Sequence, residues 1–129
     1  MSDSLRGPLD FAVDAAWQAG KVTLRYFQTE IQTERKEDQS PVTIADREAE
    51  ATIRQLLASA YPQDGILGEE FGSEEGSSGF RWIIDPIDGT KSFVQGVPLY
   101  GVLIAREGPQ GVDIGCVYMP ALDEMVWAA

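Results

Sequence analysis

The stretch Ile83-Ile84-Asp85-Pro86-Ile87-Asp88-Gly89-Thr90 concentrates residue types that can do chemistry. An apolar strand is expected to deliver Asp85 at its end, where a buried element meets solvent. Pro86 fixes φ and removes an N–H, so the chain must turn. Asp88 returns three residues later, and both carboxylates can face one point. The turn frees the Ile87 carbonyl to act as a further oxygen ligand. Gly89 permits the backbone angles that close approach to a ligand demands. Thr90-Lys91-Ser92-Phe93-Val94 can open a short helix, whose first N–H groups would favour an anion. Cation ligands and a phosphate cradle within one turn are what metal-assisted phosphoryl transfer requires. Taken alone, an Asp-Pro-x-Asp-Gly turn is commonly a solvated loop. An EF-hand reading fails, because Ile87 and Gly96 stand where that loop needs oxygen ligands.

Two further segments can join this chemistry. Gly68-Glu69-Glu70 follows the apolar Ile66-Leu67 pair, and its acids can hold a metal or orient a water. Its plain alternative is a charged loop. Ser40-Pro41-Val42-Thr43-Ile44-Ala45-Asp46 leads into a helix. There Thr43 reads as a cap, and Asp46 as an acid complementing the helix dipole. Lys36 precedes it in a polar segment and reads as a surface lysine.

Composition narrows the options. The 129 residues fit one domain with a real core. There is no histidine, so no imidazole base and no histidine metal site exists within this chain. The single cysteine, Cys116, excludes a disulfide framework and a thiolate zinc site. Catalysis must therefore use carboxylates, hydroxyls, Lys, Tyr, backbone amides or a hard, oxygen-loving metal. A net charge of −11 argues against nucleic acid and anionic membrane surfaces as partners. The polar, acidic start does not read as a signal peptide and no apolar run reaches membrane-spanning length, so a cytoplasmic location is expected.

The elements that must position these residues follow from the pattern. A helix is predicted from Pro8 to Gln28, with Pro8 in its first turn. Residues 30–40 read as a loop or exposed ribbon. A second helix carries Ala49, Ile53, Leu56, Leu57 and Ala60 on one face and ends at Tyr61-Pro62. Residues 72–79 read as a flexible acidic loop. Strands are predicted at Phe80–Ile84, Leu99–Arg106, Val112–Met119 and Glu124–Ala128, the middle two joined as an antiparallel hairpin by Gly108–Gly111. The fold class is α+β, helices packed on a largely antiparallel sheet. Trp17, Trp82 and Trp127 read as core or interface anchors, and Cys116 as an inert buried thiol.

Together, Thr43-x-x-Asp46, Gly68-Glu69-Glu70 and Asp85-Pro86-Ile87-Asp88-Gly89-Thr90 resemble the inositol monophosphatase superfamily of magnesium-dependent, lithium-sensitive phosphatases. Gly96-Val97-Pro98, Gly115-Cys116-Val117-Tyr118 with Pro120, and Asp123-Glu124 extend the likeness from about Val13 to the end. The resemblance implies the N-terminal half of a layered α/β/α/β/α sugar-phosphatase fold. It implies that Glu69, Asp85 and the Ile87 carbonyl bind one Mg²⁺, and Asp85 with Asp88 a second, with two or three ions in full-length members. It implies that Glu69 and Thr90 activate the attacking water, that Asp46 sets the Thr90 hydroxyl, and that the Gly89 and Thr90 amides hold phosphate. Lys36 would belong to a mobile metal loop.

Within the family, Lys91-Ser92-Phe93 and the residues after it look most like the histidinol-phosphate phosphatases. Histidinol phosphate, an intermediate of histidine biosynthesis, is the leading small phosphorylated metabolite, with inositol 1-phosphate as the alternative. Typical members run on through a second half that carries a Trp-Asp-x-Ala ligand motif. Trp127-Ala128-Ala129 does not match that motif. These residues alone are therefore expected to be weakly active or inactive, or else a non-catalytic module with weak Mg²⁺ binding. The missing half is expected to dock on this domain, and the family likeness implies a homodimer.

Overall fold

The computed structural model describes residues 3–30, 33–35 and 41–129. Two helices lie on one face of a six-stranded sheet. Helix α1 spans Asp3–Leu24 and helix α2 spans Ile44–Ala60. The sheet is built from β3 (Gly65–Gly68), β4 (Gly72–Glu74), β5 (Arg81–Asp88), β6 (Gly101–Gly108), β7 (Gly111–Met119) and β8 (Glu124–Ala128). Its strand order is β4-β3-β5-β6-β7-β8. Only β3 and β5 run parallel. A short antiparallel ribbon, β1 (Glu34–Arg35) with β2 (Pro41–Val42), precedes α2. The five-residue helix α3 (Thr90–Val94) follows β5. Among the described residues no helix is long and apolar enough to cross a membrane.

Helix α1 buries a stripe of small residues, Ala12, Ala15, Ala16, Ala19 and Gly20, which lets its backbone sit close to the sheet. A Cβ on Gly20 would run into the Tyr118 ring. The helix starts earlier than expected, and Pro8 lies inside it rather than in its first turn. Proline has no N–H for the carbonyl one turn back, so this turn lacks one intrahelical bond. The helix also ends earlier: after Leu24 the amides of Arg25 and Tyr26 bond to Val22 and Thr23, three residues back, and Gln28 has a positive φ. Helix α2 starts where Thr43 and Asp46 form a capping box, and Tyr61 ends it ahead of Pro62.

The main core lies between these helices and one sheet face: Leu9, Ile53 and Leu57 against Trp82, Ile84, Val102, Ile104, Ile114, Cys116 and Tyr118. Each large apolar side chain buried there contributes about 1.5–3 kcal/mol. Trp82 is fully buried, as expected, but Trp17 and Trp127 are 46% and 51% exposed. Cys116 is buried, and burial pushes its thiol up to about 11. The opposite face carries Leu67, Ile83, Asp85, Leu103, Ala105, Val117 and Val126, aligned by the strand register. No helix among the described residues covers it.

Three expectations change in the sheet. Residues 72–74 pair with β3 as an edge strand, so the acidic loop is shorter than read from its composition. The hairpin of β6 and β7 is present, but β6 runs Gly101–Gly108, offset from the expected Leu99–Arg106. Most importantly, β5 does not stop before Asp85. It continues through Pro86 to Asp88, with a register break between Asp85 and Asp88 against β6. Proline cannot donate to the ladder, and a bulge absorbs it without ending the strand.

Candidate active site

The site forms where β5 leaves the sheet and α2 and α3 begin. A second, smaller core of Ala45, Ile87, Phe93 and Tyr100 lies beneath it. Phe93 meets Tyr100 edge to face at 4.9 Å between ring centroids, and the Tyr100 hydroxyl is 2.9 Å from Thr23 Oγ1 on α1. This packing ties the bulge and α3 to both long helices. Gly89 makes the corner with φ 92°, and a Cβ there would stand 3.1 Å from the Leu99 carbonyl oxygen. Glycine is therefore favoured at this position, mainly by the positive φ and also by the tight space.

Asp46 is buried, 1% exposed, and its two oxygens do different work. Oδ2 accepts the Thr43 amide at 2.9 Å and the Thr43 hydroxyl at 2.6 Å. Oδ1 accepts the Thr90 hydroxyl at 3.0 Å. The helix-start reading and the Thr90-partner reading of Asp46 thus hold at once, one on each oxygen. Thr90 Oγ1 also lies 3.2 Å from the Ile87 carbonyl oxygen. A hydroxyl has one proton, so these two acceptors compete for it. Donation to Asp46 leaves the Thr90 oxygen lone pairs for an incoming donor and leaves the Ile87 carbonyl free for another partner.

Asp85 is half-buried on the uncovered sheet face, where it and Glu69 line a cleft of about 440 Å³ with Ile83, Leu103 and Val117. Burial, then the charges of Glu69, Asp88, Asp46 and Glu70, push the Asp85 carboxyl up to about 7. Acids crowded this way repel one another until a cation or a proton intervenes. An all-oxygen set of Glu69, Asp85, Asp88 and the Ile87 carbonyl has the chemistry of a hard divalent cation site such as Mg²⁺.

The geometry falls short of the ready-made metal sites expected for Glu69, Asp85, Ile87 and Asp88. Among the described residues no three acidic, histidine or cysteine side chains converge closely enough to hold an ion. Glu69 is exposed on the turn after β3, and Asp88 is exposed beyond the bulge. They come from different elements, the β3–β4 turn and the far end of β5. Lys36 lies outside the described residues. Lys91 is exposed on α3.

One buried acid, Glu50, escaped the sequence reading. It sits on the apolar face of α2 beside Ala49 and Ile53, fully buried. A charged residue inside an apolar helical stripe was the available signal.

The profile of the inositol monophosphatase family matches residues 5–129. A histidinol-phosphatase from Chlorobaculum parvum is 50% identical over 121 residues, covering 93% of this chain and 47% of that protein. An inositol-1-monophosphatase from Mesorhizobium japonicum is 42% identical over 120 residues, covering 91% of this chain and 45% of that protein. The structure of an IMPase from Thermotoga maritima superposes with a TM-score of 0.88 at 33% identity, over 95% of this chain and 48% of that one. The chain spans about half the length of the curated relatives it matches.

Proposed function

This chain belongs to the inositol monophosphatase family, and from that premise we propose that the protein it comes from is a Mg²⁺-dependent phosphomonoesterase acting on histidinol phosphate. The observation that carries the reading is the buried Asp46 aiming the Thr90 hydroxyl beside the crowded acids of Asp85 and Glu69.

When bound, Mg²⁺ supplies charge that stabilises the phosphoryl transition state and acidifies water. Glu69, Asp85, Asp88 and the Ile87 carbonyl are the residues that would hold it. Thr90, its proton committed to Asp46, accepts a hydrogen bond from the attacking water and so orients it. Glu69 takes that water's proton, since its exposed carboxylate is free to swing toward Asp85. The amides of Gly89 and Thr90, at the corner where the bulge meets α3, face the phosphate oxygens. The buried aromatic pair beneath holds this corner rigid, which keeps water and phosphate in line.

The substrate choice rests on the higher identity to a histidinol-phosphatase and on Lys91-Ser92-Phe93 after the site. The relative named inositol-1-monophosphatase keeps inositol 1-phosphate as the second reading. The remaining half that the relatives carry would cover the open apolar face around Leu103, Val117 and Val126 and supply substrate contacts. A cytoplasmic homodimer is part of the proposal. A non-catalytic, weakly Mg²⁺-binding role is the second reading for these residues alone, favoured by the unconverged acids.

The test is kcat/KM of the full-length protein on both esters with Mg²⁺, with sedimentation to give its assembly state. Histidinol phosphate is expected to be preferred by about tenfold or more, the size of discrimination a few polar contacts supply. Failure on both esters overturns the reading.

A further inference from the structure

Among the described residues Glu50 is the most deeply buried acid, and it has no part in the chemistry above. It lies on α2 one turn after Asp46 and is 0% exposed. Its Oε1 accepts the Glu70 amide at 2.9 Å, and its Oε2 accepts the Phe71 amide at 2.9 Å. Arg54, one turn further on, donates Nε–H to Oε2 at 3.0 Å. A second Arg54 nitrogen bonds to the Gly72 carbonyl. A Cβ on Gly68 would overlap the Glu50 carboxylate. The carboxylate therefore sits inside the β3–β4 turn, in space that only a glycine leaves open.

That turn consists of Glu69, Glu70 and Phe71 between the paired Gly68 and Gly72. Each of its three amides has a fixed acceptor. The Glu69 amide bonds to the Ile84 carbonyl, next to Asp85 on β5, at 3.3 Å. The next two bond to Glu50. The backbone of Glu69 is thus pinned on one side to the strand that carries Asp85 and on the other to the helix that carries Asp46. An ordinary exposed hairpin turn leaves such amides to water. Burying a charge to hold them is costly unless it is fully partnered, and here it is.

We propose that Glu50 is a positioning residue: it clamps the Glu69-Glu70-Phe71 turn so that the Glu69 carboxylate is presented toward Asp85 for Mg²⁺. This inference rests on the Mg²⁺-dependent reading above, but its readouts do not need turnover.

The experiment uses the full-length protein with Glu50→Gln and Arg54→Met variants. Glu50→Gln keeps the shape but sets an NH₂ against one of the two amides. Arg54→Met leaves the carboxylate and both amide bonds in place. Amide exchange at Glu70 and Phe71, Mg²⁺ affinity by calorimetry with Mg²⁺ alone, and melting temperature are measured for each. Glu50→Gln is expected to lose exchange protection at whichever of the two amides meets the NH₂ and to weaken Mg²⁺ binding about tenfold or more, the usual effect of losing a residue that orients a ligand. Arg54→Met is expected to lower the melting temperature while Mg²⁺ affinity stays within about twofold, because the amide clamp survives. Should Glu50→Gln fail to fold, Gly68→Ala carries the test, since its methyl pushes the carboxylate out while keeping its charge, and the same weakening is expected. Three results overturn the proposal: wild-type protein that binds no Mg²⁺, a folded Glu50→Gln or Gly68→Ala variant with unchanged Mg²⁺ affinity, or Arg54→Met weakening Mg²⁺ as much as Glu50→Gln. Protein that binds Mg²⁺ as expected but hydrolyses neither ester overturns the phosphatase reading and leaves this one supported by its own readouts.

Discussion

Replacing Asp46 with asparagine separates its two roles. The side chain accepts three hydrogen bonds while 1% exposed. Asparagine keeps one acceptor oxygen, and the tighter pair from Thr43 will claim it. Its NH₂ then faces Thr90 Oγ1, where two donors would clash. The Thr90 hydroxyl must rotate, accept from asparagine and donate to the Ile87 carbonyl, already within 3.2 Å. The capping geometry survives without its charge, at a cost of about 1 kcal/mol. Exchanging one charge-assisted bond for a neutral one adds about 1 kcal/mol. A loss of about 2 kcal/mol lowers the melting temperature by roughly 6–10 °C in a domain this size. The rotated hydroxyl gives one lone pair to asparagine and turns its proton toward Ile87, which misdirects the remaining lone pair away from the water it orients, so kcat of the full-length protein should fall about 100-fold or more. Thermal denaturation and steady-state kinetics, run well below the melting temperature, read the two effects separately. A folded Asp46→Asn variant with kcat within about fivefold of wild type would refute the Asp46–Thr90 arrangement as part of the chemistry.

Four more outcomes follow from the structure. Because the Asp85 carboxyl is raised to about 7, its ionisation opposes folding of the metal-free chain. That group's favourable contribution is complete below the ordinary carboxylate range and is lost as pH rises through about 7. Asp85→Asn should therefore stabilise metal-free protein at pH 8 by about 1–2 kcal/mol, discounted for a half-exposed group, and do nothing at pH 3; denaturant melts at the two pH values decide this. Mg²⁺ affinity should likewise fall as pH drops below about 7, because the proton competes for Asp85; flat affinity between pH 6 and 8 would contradict it. Gly89→Ala forces a Cβ into a positive-φ corner against the Leu99 carbonyl and should cost about 1–3 kcal/mol, read by chemical denaturation. Cys116, buried with its thiol raised to about 11, should resist a thiol reagent in native protein and react fully once unfolded.

Much of this protein is determined by local sequence. Thr43 and Asp46 set a helix start through a capping box, which needs only neighbouring residues. Tyr61-Pro62 stops α2, and Gly108 to Gly111 folds a hairpin, for equally local reasons. The acids, the glycine and the hydroxyl near the site stood out as candidates only when three separate segments were taken together, since the Asp85–Thr90 turn alone reads equally as a solvated loop. Tertiary structure decided the rest. β5 runs through Pro86 because pairing with β6 tolerates a bulge, a choice no local preference contains. Residues 72–74 become a strand because β3 offers an open edge. Asp46 reaches Thr90 because the Phe93–Tyr100 core brings two segments 44 residues apart together. Glu50 acts on the Glu69 turn only after α2 is laid against β5. In each case the deciding energy is a contact between distant segments, and chain order says nothing of such a contact until the core has closed.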